Sequence, residues 1–199
     1  MKKIFLFVVM AMIIAGCNQK KQSAVTATDD DAEVNDSTIY GVCGEGTMMH
    51  SLELITSMQD TLTILINDED APDQTIVAGG LMAGDRMAVT ACKTDDGWVA
   101  QRILNITSLL GKWTSIDKNF EITDDGEVKS SMKMESKAWT QWRILNGQLL
   151  LNRDTFDIVS ITADSLEIEN HDGIYAYRRM AAVLQEKDHA NGDSIGASK

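Results

Sequence analysis

Hydrophobic and polar residues alternate over short stretches through much of the chain, a pattern that predicts β-strands rather than helices. In residues 61–66, Leu62, Ile64 and Ile66 share one face at a period of two residues. The other candidate strands of this part of the chain are residues 40–41, 49–55, 86–90 and 98–106. The dipeptide Asp96-Gly97 lies between the last two strands. It predicts a hairpin there, because it tolerates the positive φ of a tight turn. Residues 38–107 are therefore expected to form about five strands.

The second half of the chain, residues 108–182, continues as a series of shorter strands. The candidates are residues 111–116, 120–123, 127–134, 138–145, 148–152, 156–161, 165–169 and 174–180. The turns between them include Asp125-Gly126, Asn146-Gly147 and Asp172-Gly173, which are strong hairpin signals. Eight strands joined in this way predict an up-and-down barrel or a strongly curved sheet, since closure removes exposed strand edges.

The first of these regions resembles an OB-fold. The resemblance consists of an opening strand at Tyr40-Gly41, a long hairpin and a turn at residues 83–86 before a late strand. Another small β-sandwich is the alternative. The expected fold class is all-β, with an OB-like five-stranded small barrel in residues 38–107, followed by an eight-stranded antiparallel meander in residues 108–182.

The amino terminus has the pattern of a secretory signal peptide. Lys2 and Lys3 precede an apolar run over residues 4–15, which is too short to span a bilayer comfortably. The run ends in Ile14-Ala15-Gly16-Cys17, which resembles the lipobox of bacterial lipoproteins. The resemblance implies that residues 1–16 are removed, and that Cys17 carries a diacylglyceryl group on its thiol and a further acyl chain such as palmitate on its amino group. A secretory signal with an incidental cysteine is the alternative.

Composition then changes the picture of partners and location. Residues 17–37 read as the lipidated cysteine and a flexible acidic tether, and residues 183–199 as a disordered tail. The chain has 18 basic and 30 acidic side chains and a net charge of −12, which argues against nucleic-acid binding. An acidic surface is repelled by anionic headgroups, so the acyl chains at Cys17 must hold the protein at the membrane. Asn18 after the cysteine favours the outer membrane by analogy, with a periplasmic or surface-exposed position left open.

A short motif in the second half adds a further resemblance. Gly111-Lys112-Trp113 opens its first strand, and Arg178-Arg179 lies in its last. This resembles the lipocalin, or calycin, pattern, in which the tryptophan of a G-x-W motif packs at the closed end of the barrel and an arginine crosses the indole face. The match covers residues 109–180. This region is similar to the small lipocalin-like domains of Gram-negative envelope lipoproteins.

The aromatic side chains of this half are candidates for ligand contacts. Period two sends Trp139 and Trp142 to opposite faces of one predicted strand, while Tyr175 and Tyr177 share a face with Arg179. The candidate ligand-binding residues are Trp113, Trp139, Trp142, Tyr175, Tyr177, Arg178 and Arg179. The alternative for the tryptophans is that they only fill or shield the core.

The cysteines and the remaining motifs carry less chemistry. Cys43 and Cys92 are a candidate disulfide in an oxidising compartment, or else two small hydrophobes that never meet. Thiol, thioether and imidazole groups at Cys43, Met48 and His50 suit Cu(I), but their spacing fits no metal motif. The chain has no phosphate-binding loop and no dinucleotide fingerprint. The sequence therefore predicts a non-enzymatic protein without a cofactor or a metal site.

Two functional hypotheses remain at this point. In the first, the lipocalin-like barrel of a lipid-anchored envelope protein binds a small apolar or amphipathic molecule. In the second, both β regions are protein-interaction or stress-sensing modules of the envelope, and the barrel is packed with side chains and holds no ligand.

Overall fold

The computed structural model describes residues 35–67, 71–130 and 138–180. The predicted signal peptide, the lipidation site Cys17, most of the predicted tether and the tail from residue 183 lie outside the described residues. So does the end of the predicted strand 127–134, from residue 131 onward. The described chain is all-β, with a closed five-stranded barrel followed by a nearly closed eight-stranded antiparallel barrel, which confirms the expected fold class.

Six strands form the first barrel region. They are β1 (Ile39–Cys43), β2 (Ser51–Thr56), β3 (Thr61–Leu65), β4 (Ile76–Ala78), β5 (Arg86–Thr94) and β6 (Gly97–Asn105). Five of them close in the order β1, β2, β3, β6, β5 and back to β1. The β3–β6 pair is parallel and the other four pairs of the ring are antiparallel.

Strand β4 is the element of this region that the sequence did not predict. It runs parallel to the outer part of β6, with Ile76 opposite Arg102. Two of its three side chains, those of Ile76 and Val77, are exposed, so the segment shows no alternation of buried and exposed positions. The buried Thr75 just before it donates its hydroxyl to the carbonyl of Ala100 at 2.7 Å, which attaches the segment to the barrel.

A short helix connects the two barrels. The predicted strand 98–106 ends one residue early, because Asn105 caps helix α1 (Ile106–Leu109) by accepting a hydrogen bond from the backbone N–H of Ser108 at 2.8 Å. The amide nitrogen of the same side chain donates to a carboxylate oxygen of Asp85 at 2.7 Å. The side chain of Asn105 is buried, and both its oxygen and its nitrogen are hydrogen-bonded. It therefore holds the connection between the barrels in one conformation.

Eight strands form the second barrel. They are β7 (Gly111–Thr114), β8 (Asn119–Ile122), β9 (Val128–Ser130), β10 (Trp142–Leu145), β11 (Gln148–Leu151), β12 (Asp154–Ile161), β13 (Ser165–Asn170) and β14 (Gly173–Arg179). Each pairs antiparallel with its chain neighbour, except β9 and β10, and β14 pairs with β7. Between β9 and β10 the barrel is bridged by Glu127 opposite Gln141 and by the N–H of Val128, which donates to the carbonyl of Thr140 at 2.9 Å.

The predicted strand 138–145 forms only in its second half. Before Trp142, the side chain of Asn152 takes the place of backbone hydrogen bonds from a neighbouring strand. Its oxygen accepts from the backbone N–H of Thr140 at 2.9 Å, and its nitrogen donates to the carbonyl of Ala138 at 3.1 Å. Alternation in sequence does not distinguish a backbone held by a side chain from one held by a neighbouring strand. Trp139 is therefore free of strand geometry and turns into the barrel.

The two barrels share part of their core and belong to one compact unit. Ala78, Ala88 and Leu104 of the first region pack in the same hydrophobic cluster as the interior of the second barrel. We call this contact between the two barrels the joint. Polar contacts also contribute to it, because Arg102 donates both to the carbonyl of Gly147, at 3.2 Å, and to the carboxylate of Asp157, at 2.9 Å.

The end of the predicted tether also takes part in the joint. The backbone N–H of Ser37 donates to the side-chain oxygen of Asn146 at 2.8 Å, and the N–H of Asn146 reaches the carboxylate of Asp36 at 3.3 Å. Asp36 and Ser37, which the sequence assigned to the tether, thus contact the β10–β11 hairpin.

The candidate disulfide between Cys43 and Cys92 is not formed, and both thiols are free. The backbone of Cys43 pairs with Asp85 before the start of β5, whereas Cys92 lies opposite Val99 towards its far end. Seven residues of strand separate the two positions by roughly 20 Å, far beyond the reach of a disulfide. Cys43 is buried and Cys92 is exposed.

Candidate ligand-binding site

One end of the second barrel is closed by Trp113 and Arg179. Trp113 is fully buried and donates its indole N–H to the carbonyl of Leu109 at 2.9 Å. The guanidinium carbon of Arg179 lies 4.1 Å from the centre of the indole ring, which is the cation–π contact implied by the lipocalin resemblance. Gly111 has φ +122°, and a Cβ there would lie 2.6 Å from a guanidinium nitrogen of Arg179, so only glycine fits.

Each of the three nitrogen atoms of the Arg179 guanidinium donates a hydrogen bond at this end. It donates to the carbonyls of Ser108 at 2.6 Å, Leu110 at 2.7 Å and Ala163 at 2.7 Å. Burial lowers the pKa of Arg179 from its usual value. Trp113 and Arg179 therefore close this end of the barrel and fasten it to α1, and neither lines the cavity at the other end.

The other end of the second barrel contains a cavity of about 1180 Å³. Its walls are residues 114–118 at the β7–β8 turn, residues 153–156 at the start of β12, and residues 170–172 and 174–178 around β14, together with Trp139. The hairpin turns at this end lie opposite the Asn146-Gly147 turn that contacts the first barrel. The cavity therefore opens at the end of the molecule away from the joint.

Four aromatic side chains of the cavity wall, those of Trp139, Phe156, Tyr175 and Tyr177, form what we call the aromatic floor, and Phe120 packs behind them. Trp139 contacts Phe120 and Phe156 edge to face, with ring centres 5.2 and 5.6 Å apart. Phe120 also meets Tyr177 at 4.9 Å, and Phe156 meets Tyr175 at 6.0 Å. Edge-to-face pairs hold the rings in fixed orientations. Tyr177 and Trp139 are nearly covered, whereas Tyr175 is 36% exposed at the mouth.

The rim of the cavity carries both positively and negatively charged side chains. The ammonium group of Lys118 lies over the indole of Trp139, 3.5 Å from the ring centre. The remaining charged or titratable side chains of the wall are Asp117, Arg153, Asp154, His171, Asp172 and Arg178. Two apolar side chains of the wall, Ile116 and Ile174, are 99% and 63% exposed. An apolar interior beneath a rim of mixed charge is suited to an amphipathic ligand.

The structure brings together four of the seven predicted ligand residues. Trp139, Tyr175, Tyr177 and Arg178 line the cavity. Trp113 and Arg179 close the opposite end. Trp142 lies at the β9–β10 seam and donates its indole N–H to the carbonyl of Thr123 at 2.7 Å, beside a smaller cavity of about 310 Å³.

Sequence reasoning missed Phe156 and Lys118 of the cavity wall, and also Phe120, which packs behind the wall against Trp139. Phe120 and Phe156 each begin a predicted strand, and their alternation with Ile122 and Ile158 marks them as inward-facing. That signal places them in the barrel but does not say at which end they meet Trp139. Lys118 lies in a turn, where nothing in the local sequence indicates a partner ring.

Comparison with protein-family models, with curated proteins and with solved structures found no match to this chain. Among the described residues, no group of three or more His, Cys, Asp and Glu side chains is placed to hold a metal ion. In the same part of the chain, no helix has the length and apolar character needed to cross a membrane.

Proposed function

We propose that this chain is a lipid-anchored, non-enzymatic protein of the cell envelope, and that the cavity of its second barrel binds a small apolar or amphipathic molecule. The observation that carries the ligand half of the proposal is the aromatic floor beneath an open cavity of about 1180 Å³. Small-molecule sites are typically concave, mostly apolar and of roughly 300–1,000 Å³, with a few polar groups that orient the ligand.

The driving force for such a ligand is burial of apolar surface. A molecule lying on Phe156 and Tyr175 removes its own apolar surface and that of the rings from water, at about 25 cal/mol per Å². Lys118, Arg153 and Arg178 on the rim then interact with the polar end of an amphiphile.

The anchor half of the proposal rests on the sequence of residues 1–17. The positive start, the apolar run and Ile14-Ala15-Gly16-Cys17 support lipidation at Cys17, and Asn18 supports the outer membrane as the destination. The acyl chains then supply the membrane contact that an acidic surface does not.

Native mass spectrometry of the full chain, released from detergent micelles, tests the ligand. With dodecanoic acid as the probe, we expect a one-to-one adduct, and we expect Tyr175→Ala to weaken it about fivefold by removing apolar contact at the mouth. Met58→Ala is the matched control, because this exposed side chain lies in the β2–β3 turn of the first barrel. An unchanged adduct in Tyr175→Ala would contradict the cavity as the binding site of this probe.

A second candidate function, docking of an envelope protein, is favoured by a separate observation on the first barrel. Met48, Met49 and Met82 are 70%, 82% and 70% exposed, in two loops that are joined by a hydrogen bond from Gly84 N–H to the carbonyl of Cys43. Exposed methionines adapt to varied apolar partners. If this surface docks a protein, replacing the three by glutamine abolishes its cross-linked complexes in intact cells while the dodecanoic acid adduct is retained.

A further inference from the structure

The first half of strand β14 has a strand neighbour on one side only. It pairs with β13 from Gly173 to Arg178, but with β7 only where Arg178 and Arg179 lie opposite Thr114 and Trp113. The pairing of β7 with β14 ends at Thr114, and the next residue continues the hairpin with β8, since the backbone N–H of Ser115 donates to the carbonyl of Lys118 at 2.8 Å. Within the described residues, nothing pairs with β14 beside Ile174 and Ala176 on that side.

The direction of the backbone groups follows from two hydrogen bonds at the end of the strand. Arg179 donates its N–H to Asp164 on the β13 side at 2.7 Å, and Met180 donates to Lys112 on the β7 side at 2.9 Å. Because successive residues of a strand direct their N–H and C=O groups to opposite sides, Ile174 and Ala176 direct theirs away from β13. The open edge therefore offers two donors and two acceptors in register.

This edge forms part of the cavity wall. The cavity contacts every residue from 174 to 178, although neighbouring side chains of a strand point to opposite faces. Contact with consecutive residues on both faces means that the cavity lies against the strand edge itself. The same space reaches the aromatic floor, since Tyr175 belongs to both.

We infer that the cavity takes a short extended peptide, which pairs with the Ile174–Ala176 backbone as an added strand and places one apolar side chain on the aromatic floor. An unpaired strand edge is the usual template for such an addition. In an added antiparallel strand, the residue opposite Tyr175 points inward with it and reaches Phe156. The inference names the ligand class of the proposed site and rests on that proposal.

The rim supports a peptide over a simple fatty acid. A short peptide with free ends is a zwitterion, and the wall offers both signs, with Arg153 and Arg178 as cations and Asp117 and Asp172 as anions. A fatty acid has one polar end and no amide groups, so it leaves the donors and acceptors of Ile174 and Ala176 without partners other than water.

The test compares three probes on the full chain in detergent micelles by native mass spectrometry. They are the tetrapeptide Ala-Val-Phe-Ala with free ends, the same peptide methylated on its internal amide nitrogens, and dodecanoic acid. We expect the first peptide to bind at least tenfold more tightly than its methylated form, because methylation removes the strand hydrogen bonds and keeps the apolar side chain. Amide exchange at Ile174 and Ala176, followed by NMR, is expected to slow on addition of the first peptide.

A backbone variant tests the same edge from the protein side. Ala176→Pro removes the N–H that faces the open side, and proline is tolerated at a strand edge that faces away from its neighbour. Peptide affinity is expected to fall about tenfold, with dodecanoic acid unaffected. Ala176→Val keeps the N–H and is the matched control, and a circular dichroism spectrum and melting temperature establish that each variant is folded.

The outcomes separate the two proposals. Binding of dodecanoic acid without the unmethylated peptide overturns the peptide inference and leaves the proposed function standing, as does equal binding of the two peptides. Absence of all three adducts overturns the proposed function itself. Loss of peptide binding in Ala176→Pro, together with slowed exchange at Ile174 in the unmodified chain, supports the added strand.

Discussion

The interiors of the two barrels are filled by different kinds of side chain. The first is closed by five strands, and its core cluster is aliphatic, with Leu52, Leu54, Ile64, Met87 and Ile103 fully buried. The second has eight strands, and its interior needs large rings. A barrel widens as its strand number grows, so small aliphatic side chains that fill five strands leave space in eight. Trp113 closes one end of the second barrel, whereas the rings of the aromatic floor leave the other end hollow.

The two barrels also differ in where they lie relative to the cavity. The first barrel packs against the end of the second that contains α1 and the Asn146-Gly147 turn. The cavity lies at the other end, between the turns at residues 115–118 and 171–172. The first barrel therefore covers the closed end of the second, and the cavity that we propose as a ligand site lies at the open end.

The largest effect is expected from removing the ring that closes the second barrel, which tests whether this barrel depends on a buried ring more than the first barrel does. Trp113→Ala is expected to reduce the free energy of unfolding by about 3–5 kcal/mol, since it leaves a large cavity in a fully buried site. Chemical denaturation measures the loss. Trp98→Ala in the first barrel is the control, because that side chain is only partly buried, and a loss there as large as in Trp113→Ala would contradict the difference drawn between the barrels.

A smaller change tests whether the barrels unfold together. Gly147 is buried at φ +79°, and a Cβ there would lie 2.9 Å from the Cδ of Arg102. Gly147→Ala is expected to cost about 1–2 kcal/mol from backbone strain and about 1–3 kcal/mol from overpacking against the first barrel. Thermal unfolding is then expected to divide into two transitions, whereas a single transition is expected for the unmodified chain.

Gly173→Ala is the matched control for this variant. Gly173 has φ +143° in a turn at the open end, and a Cβ there meets no atom within 4 Å. Only the backbone term applies to it, so a single transition is expected. Two transitions in this control would mean that strain alone, rather than the contact with Arg102, divides the unfolding.

The smallest expected effect lies at the joint and depends on pH. Partial burial disfavours the charged form of Asp36, but hydrogen bonds from Thr38 and Asn146 outweigh it and hold the pKa of this carboxyl below its usual value. A lowered folded pKa stabilises the protein above about pH 4 and the stabilisation is lost as the pH falls through the folded value. The melting temperature of Asp36→Asn should therefore lie below that of the unmodified chain at pH 7, and the difference should shrink at pH 3.

Much of the strand pattern was predictable because it is local. All eight strands of the second barrel follow from alternation and from turns such as Asn146-Gly147, where both residues have positive φ. Five of the six strands of the first region were predicted, and β4 was missed because three half-exposed residues have no period. The strand before Trp142 was overestimated because Asn152, a distant side chain, holds that backbone.

The site was predictable only in part. Trp139, Tyr175 and Tyr177 were identified as candidates by residue type and face, but the same reasoning selected Trp113, Trp142 and Arg179, which have structural contacts instead. The aromatic character of a strand indicates an interior position. It does not indicate which end of the barrel is filled, because that depends on where several strands stop.

The sequence by itself determined most of the strands and the order of the two barrels, because each depends on a short period or a turn dipeptide. Tertiary structure alone decided the hollow end, the joint through Arg102 and the open edge at Ile174 and Ala176. These features depend on where β7 leaves β14 and on how the barrels meet. Such contacts join residues far apart in the chain, and no local pattern of hydrophobic and polar positions encodes the point at which two distant strands cease to pair.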